Sequence, residues 1–409
     1  MPEILTHTLP NGLILLAEPM PAAESLSMSL LTPAATGLEE VGQLGIASLM
    51  SEMICRGAGS LDAKAHCDAL DNLGVMRSSN SGVSRYRLGA TMIGTKLREA
   101  LPLLLDMIRK PMLPENGLEP SRDLAIQAID ALEDEPQEKV FIELRKRHYP
   151  EPFGRSSLGV REDLEAITLE QVRGFWKRTM VPRGSMIGFA GRFNWNSLVD
   201  MIEAHLGDWT GDVAEPVPLS TPARGYVHEH ADSTQVHIGL AYEALPEPHE
   251  KSILQKAAVN ILSGGMSGRL FTEVREKRGL CYSVFASYAG QRDRGAILAY
   301  SGTSEPRAQE TLDVLKSELI RLSDGVEKDE FGRAIVGMKS RLVMQGESTG
   351  ARAAAIASDQ YTLGYPRSLD EMARRVDAIT LDDVNDFVKA HKPGDMTIVT
   401  VGPAPLEIR

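Results

Sequence analysis

The feature that most constrains this chain is that part of it is written twice. Ala166-Ile167-Thr168-Leu169 recurs as Ala378-Ile379-Thr380-Leu381, 212 positions on. The same offset carries Val172 to Val384, Phe175 to Phe387 and Lys177 to Lys389. Each copy passes a proline (Pro182, Pro393) and enters a short apolar stretch that ends on glycine, Met186–Gly191 in the first and Met396–Gly402 in the second. Self-similarity of this kind marks a duplicated structural unit. A chain of 409 residues divides naturally into two such units, since one core rarely grows that large. Between the copies runs Thr210-Gly211-Asp212-Val213-Ala214-Glu215-Pro216-Val217-Pro218-Leu219-Ser220-Thr221-Pro222, whose prolines resist both helix and central strand. The reading is a first domain over 1–210, a linker over 211–224 and a second domain over 225–409.

Within each half two periodicities alternate. Leu26, Met28 and Leu30 interleave with Ser25, Ser27 and Ser29, which predicts a half-buried strand. Val236, Ile238, Leu240 and Tyr242 interleave in the same way with Gln235, His237, Gly239 and Ala241. Leu101-Leu104-Leu105-Ile108 and Leu312-Leu315-Leu319 keep helical spacing instead. Strands clustered between helices predict an α+β fold rather than a strict βαβ alternation.

Several functions are excluded early. A formal net charge of −12 argues against nucleic acid as a partner, because phosphate contacts need a basic face. Cys55, Cys67 and Cys281 are odd in number and form no CxxC pair, which predicts free thiols rather than a disulfide framework. No basic-then-apolar leader and no apolar run long enough to span a membrane are present, so a cytoplasmic location is the expectation. Gly265-Met266-Ser267-Gly268-Arg269 lacks the second glycine of a nucleophile elbow, and no glycine-rich segment continues into Lys-Ser/Thr. His228-Glu229-His230 sets two imidazoles on one face of a possible strand, a weak metal signal.

Gly45–Ile54 puts Ile46, Leu49, Met50, Met53 and Ile54 at core-facing helical positions, while Ser48, Ser51, Glu52 and Cys55 share the other face. By itself this is an ordinary amphipathic helix. Together with the opening Thr8-Leu9-Pro10-Asn11-Gly12-Leu13 and the segment Arg275–Tyr282, however, it resembles the M16 (pitrilysin/insulinase) family of metallopeptidases over nearly the whole chain. In that family the helix carries an inverted zinc motif, His-x-x-Glu-His, with a third ligand, Glu, farther along. Laid on this sequence, the motif's histidines fall on Ser48 and Glu52 and its general base on Ser51. The downstream ligand falls on Ala128, or on Gln127 one register away, just before Glu133-Asp134-Glu135-Pro136. Only Glu52 is a normal metal ligand, and a serine is no general base near neutral pH. Without zinc to acidify water, hydrolysis by this route lacks a nucleophile. No catalytic and no metal-binding residue is therefore assigned.

The segment Arg269–Val284 predicts a charged helix closed by Gly279, then a strand with Leu280, Tyr282, Val284 and Ala286 on one face. The resemblance implies more. Family members bear an Arg and a Tyr seven residues apart that reach the substrate backbone, and Arg275 and Tyr282 have that spacing. These two are the candidate substrate-binding residues. An arginine offers a fork of donors to a carbonyl, and a tyrosine hydroxyl can stabilise oxyanion charge.

The resemblance further implies two homologous domains, each a mixed, mainly antiparallel sheet with helices on one side, as in LuxS and mitochondrial processing peptidase, arranged as a clam shell. It implies a non-catalytic, substrate-binding subunit of a heteromeric zinc peptidase acting on peptides. The partner would be a homologous subunit with an intact His-x-x-Glu-His motif, and that partner would hold the zinc. The chain also resembles the non-catalytic subunit of the processing peptidase, but it has only Gly264, Gly265 and Gly268 where that protein has a long glycine-rich loop. Two alternatives stand: a peptide-binding or structural assembly protein with no part in proteolysis, and an active metalloendopeptidase with an atypical metal site.

Overall fold

The computed structural model describes residues 3–215 and 217–408, so Pro216 of the expected linker lies outside the described residues. The first sheet contains β1 (Leu5–Thr8), β2 (Ile14–Pro19) and β3 (Ser25–Thr32). A small ribbon, β4 (Gly57–Ala58) with β5 (Leu61–Asp62), stands apart from it. The sheet is completed by β6 (Met76–Ser81), β7 (Tyr86–Ile93) and β8 (Met186–Gly191). Its order is β1-β2-β8-β3-β7-β6, with β2 and β8 parallel and the other pairs antiparallel. The second sheet holds β9 (Tyr226–His230), β10 (Gln235–Ala244), β11 (Cys281–Gly290), β12 (Gly295–Ser304) and β13 (Thr397–Gly402). Its order is β9-β13-β10-β12-β11, and again only one pair, β9 with β13, is parallel. Strand for strand this matches β2-β8-β3-β7-β6. The fold is α+β, and the duplication read from the sequence reappears as one topology used twice.

The repeated tetrad has a specific physical job. Thr168 and Thr380 are the residues at which the helices Leu169–Thr179 and Leu381–Ala390 begin. Thr168 Oγ1 accepts the Gln171 N–H at 3.3 Å, and the Gln171 side chain accepts the Thr168 N–H at 2.8 Å. Thr380 and Asp383 make the same reciprocal pair at 3.1 and 3.0 Å. Such a capping box satisfies donors that a helix start would otherwise leave bare.

The chain forms two compact units, and each recruits a helix from the opposite half of the sequence. The first comprises Met1–Ala131, Glu151–Ser220 and Gln345–Ser368; the second comprises Leu132–Pro150, Thr221–Met344 and Leu369–Arg409. In the first unit the even face of β3 (Leu26, Met28, Leu30) joins a core with Leu49, Leu101, Leu104, Val172 and Phe175. Its serine face was expected to meet water. Instead Ser27 and Ser29 are buried, because the helix Thr349–Leu363 lies across β3 and β8. Ser27 Oγ bonds Thr349 Oγ1 at 2.9 Å, and Arg352, itself buried, donates to the Glu18 carboxylate of β2 at 2.8 Å. In the second unit Val236, Ile238 and Leu240 face a core with Ala257, Leu312, Val384 and Phe387. The opposite face of β10 is covered by the helix Pro136–His148, so His237, Gly239 and Ala241 are buried too. Strands sandwiched on both faces account for β8 and β13 being buried along their whole length. Among the described residues no helix is long and apolar enough to cross a membrane.

Candidate functional site

The helix Ile46–Met53 forms where the sequence predicts it, with Ile46, Leu49, Met50 and Met53 in the core. The residues aligned with a zinc motif are engaged elsewhere. Ser48 Oγ donates to the Ser157 carbonyl. Ser51, expected on a polar outer face, is buried against β6. There Ser79 Oγ donates to the Ser51 carbonyl at 2.8 Å, which commits its one hydrogen. It therefore accepts from Ser51 Oγ at 3.1 Å and from the Tyr86 hydroxyl at 2.9 Å. Glu52 pairs with Arg56 at 3.5 Å, one turn along the same helix. Gln127 and Ala128 are exposed on the helix Glu115–Asp130. Burial pushes the Tyr86 hydroxyl and the Cys55 thiol upward, so both stay protonated at neutral pH.

This donor set does not fit zinc. Hydroxyls tied into a protonated network are not ligands, Ala128 has no donor atom, and one carboxylate cannot make a three-ligand site. Among the described residues no group of three His, Cys, Asp or Glu side chains stands where it would hold a metal ion. His228 Nδ1 lies 3.0 Å from Thr400 Oγ1, while His230 Nε2 meets Asp232 at 3.2 Å; the pair expected as a weak metal signal is spent on different partners.

The second unit presents Arg275 and Tyr282 by two departures from regular geometry. The helix read from the sequence is a π-helical turn, Phe271–Glu276, in which the Lys277 N–H reaches the Thr272 carbonyl at 2.9 Å. Gly279 closes it at φ +61°, donating to the Arg275 carbonyl at 3.0 Å. β11 then opens with a bulge: Cys281 pairs with Thr303 and Ser283 with Gly302, leaving Tyr282 without a partner position. The single face expected for Leu280, Tyr282, Val284 and Ala286 is thereby broken. Leu280 and Ala286 are buried, whereas Tyr282 is 67% exposed, because an extra residue in one strand re-aims the side chain at that point.

The charges around this turn are sorted. Glu273 accepts from Lys277 at 2.7 Å and Arg278 at 2.8 Å, which hold its carboxyl down to about 2. Arg275 takes no part in that network. Its guanidinium stacks over the Phe271 ring, 4.9 Å from the centroid, and is exposed. Among the described residues neither its N–H groups nor the Tyr282 hydroxyl has a hydrogen-bond partner. Burial pushes the neighbouring Cys281 thiol up, and the Arg275 charge draws it partly back. The Ser79 and Tyr86 hydroxyls that lock Ser51 have no local cue in the residues around it, since they come from a strand pair about thirty residues away.

Comparison with known proteins places this geometry in context. Residues 166–338 match the family model described as the peptidase M16 inactive domain. An uncharacterized zinc protease of Streptomyces coelicolor is 26% identical, over 97% of this chain and 89% of its own length. The uncharacterized zinc protease YmxG of Bacillus subtilis is 24% identical over 98% of each chain. Among solved structures, a peptidase M16 inactive domain from Pseudomonas fluorescens aligns with a TM-score of 0.87 at 21% identity, covering 99% of both chains. A chain of complex III from Candida albicans aligns at 0.83, also at 21% identity, covering 98% of this chain and 96% of its own.

Proposed function

We propose, for what is by this kinship an M16-type chain with a peptidase M16 inactive domain over residues 166–338, that it serves as the non-catalytic, substrate-binding subunit of a heteromeric zinc peptidase acting on peptides. The observation that carries this reading is a contrast between the units. The helix that would hold zinc has spent its polar atoms on Ser157, Ser79 and Arg56, while Arg275 and Tyr282 stand exposed with their donors unspent. In the assembly these two contact the backbone of a peptide held at the zinc of a homologous partner with an intact His-x-x-Glu-His motif. The guanidinium fork would grip a carbonyl and the phenol would meet developing oxyanion charge. β6, at the edge of its sheet beside the helix Ile46–Met53, also offers unpaired backbone to an extended peptide. The cytoplasm is the proposed location.

The test mixes the purified chain with His-x-x-Glu-His homologues from the same genome. Alone it should retain no zinc through dialysis and cleave no oligopeptide; with its partner, cleavage should appear. Arg275→Ala and Tyr282→Phe should then lower kcat/KM about 10²–10³-fold while assembly persists. Stoichiometric zinc with turnover by the chain alone would refute the proposal, as would full activity of the complex bearing Arg275→Ala. A purely structural role predicts that last result.

A further inference from the structure

A cavity in the second unit takes no part in the arrangement above. It measures about 250 Å³ and lies where the end of β10 meets the helices Ser252–Ser263, Ala308–Arg321 and Leu381–Ala390. At roughly 30 Å³ per water it has room for about eight waters, or one molecule of about a dozen heavy atoms. Its walls combine three chemistries. Leu319 and Phe387 supply an apolar surface. Tyr242 and Gln255, only 6% and 8% exposed, supply a hydroxyl and an amide that have no hydrogen-bond partner among the described residues. At the exposed mouth stands Lys392, which has no acidic partner among the described residues. Glu243 also borders the cavity, but its charge is matched by Arg224.

No protein group satisfies either side chain, so the hydroxyl and the amide are left to whatever fills the cavity, water or ligand. Here both line one small space with an apolar wall and a cation at its rim. We propose that this cavity binds an acylated α-amino acid bearing a free carboxylate. The ligand's aliphatic or aromatic side chain packs on Leu319 and Phe387, its amide exchanges hydrogen bonds with Gln255 and Tyr242, and its carboxylate meets Lys392. Two sources share that chemistry: a free N-acyl amino acid and the carboxy-terminal residue of a peptide.

Calorimetric titration of the full chain with N-acetyl-L-leucine, N-acetyl-L-leucinamide and a tetrapeptide ending in leucine with a free carboxylate tests the site. The acid should bind at least about tenfold more tightly than the amide. Lys392→Ala should abolish that difference by weakening the acid alone, whereas Gln255→Leu and Tyr242→Phe should weaken both. Lys392 is exposed, so its variant should fold normally whatever the buried substitutions do. Tighter binding of the tetrapeptide than of the acetylated acid assigns the site to chain ends, and the reverse order assigns it to the small acid. Absence of binding by the acid at about 20 mM, equal binding of acid and amide, or binding unmoved by Lys392→Ala would overturn the proposal. None of these outcomes depends on the chain's role in proteolysis.

Discussion

Gly239 on β10 lies directly against the helix Pro136–His148, and Gly239→Ala measures how tightly that contact is fitted. The backbone there is an ordinary strand, paired on both sides with Tyr300 and Val399, so alanine is not excluded by conformation. In an open strand the change would stabilise by roughly 0.5–1 kcal/mol, through the entropy glycine loses on folding. Here the new Cβ falls 2.4 Å from Val140 Cγ1 and 3.4 Å from Leu144 Cδ2. Val140 is fully buried, and a β-branched side chain in a helix has essentially one rotamer, so it cannot swing aside. Overpacking of this kind costs about 1–3 kcal/mol, which outweighs the entropic gain. Val140→Ala alone should cost about 1.5–2 kcal/mol for two lost methyl groups. In the double variant the new methyl occupies the space Cγ1 vacated, so the two losses should fall short of additivity by at least about 1 kcal/mol. Urea unfolding of the four proteins of the cycle supplies the numbers. Additivity to within about 0.5 kcal/mol, or a stabilised Gly239→Ala, would refute the reasoning. Gly188 is the internal control: a Cβ there meets the Ala353 carbonyl oxygen at 2.5 Å, which is backbone, so trimming Ala357 to glycine should not rescue Gly188→Ala.

Two buried groups give stability opposite slopes with pH. Burial pushes the Glu39 carboxyl from 4.5 up to about 7, so between those values the fold keeps a proton the unfolded chain has lost, and stability falls as pH rises. Glu39→Gln keeps an acceptor for the Ala47 N–H, and its urea midpoint should rise relative to the parent at pH 8 but not at pH 4. Burial holds His148 down from 6.5 to about 4; there the unfolded chain takes the proton first, so stability falls as pH drops through that window. His148→Gln should flatten the slope between about pH 4 and 6.5, and a parent-like slope in that variant would contradict the assignment. Arg275→Ala and Tyr282→Phe alter exposed side chains without hydrogen-bond partners, and Arg275 gives up only its surface stacking on Phe271, so thermal melts should shift by no more than about 1 kcal/mol equivalent.

Much of the architecture was legible. The repeated Ala-Ile-Thr-Leu is a helix cap, and its two copies mark equivalent places in two sheets. The alternation around Leu26 and Ile238 located β3 and β10 and their core faces. What the alternation could not reveal is that the second face is covered as well. The covering helices come from roughly ninety and more than three hundred residues away along the chain, and a period-two pattern registers only the contrast between faces. Small residues such as Ser27, Gly188 and Gly239 were the local trace of that close approach. Around the candidate site, spacing located the helix Ile46–Met53 and the Arg275–Tyr282 segment. The π-helical turn and the bulge at Tyr282 have no pattern in the local residues, because each is one position out of step with a regular element. The Tyr242–Gln255 cavity is drawn from four elements that only the folded chain assembles.

The exchanged helices also bear on how the molecule is made. A ribosome finishes the last strand of the first sheet at Gly191, but the helix that shields its serine face ends at Leu363, about 170 residues later. At roughly 5–20 residues per second, that interval lasts on the order of ten to thirty seconds. Throughout it the nascent amino-terminal half lacks its lid, leaving Ser27, Ser29 and Gly188 uncovered. Maturation of this half thus waits on nearly complete translation, and a chain truncated before Thr349 is left with a sheet it cannot seal.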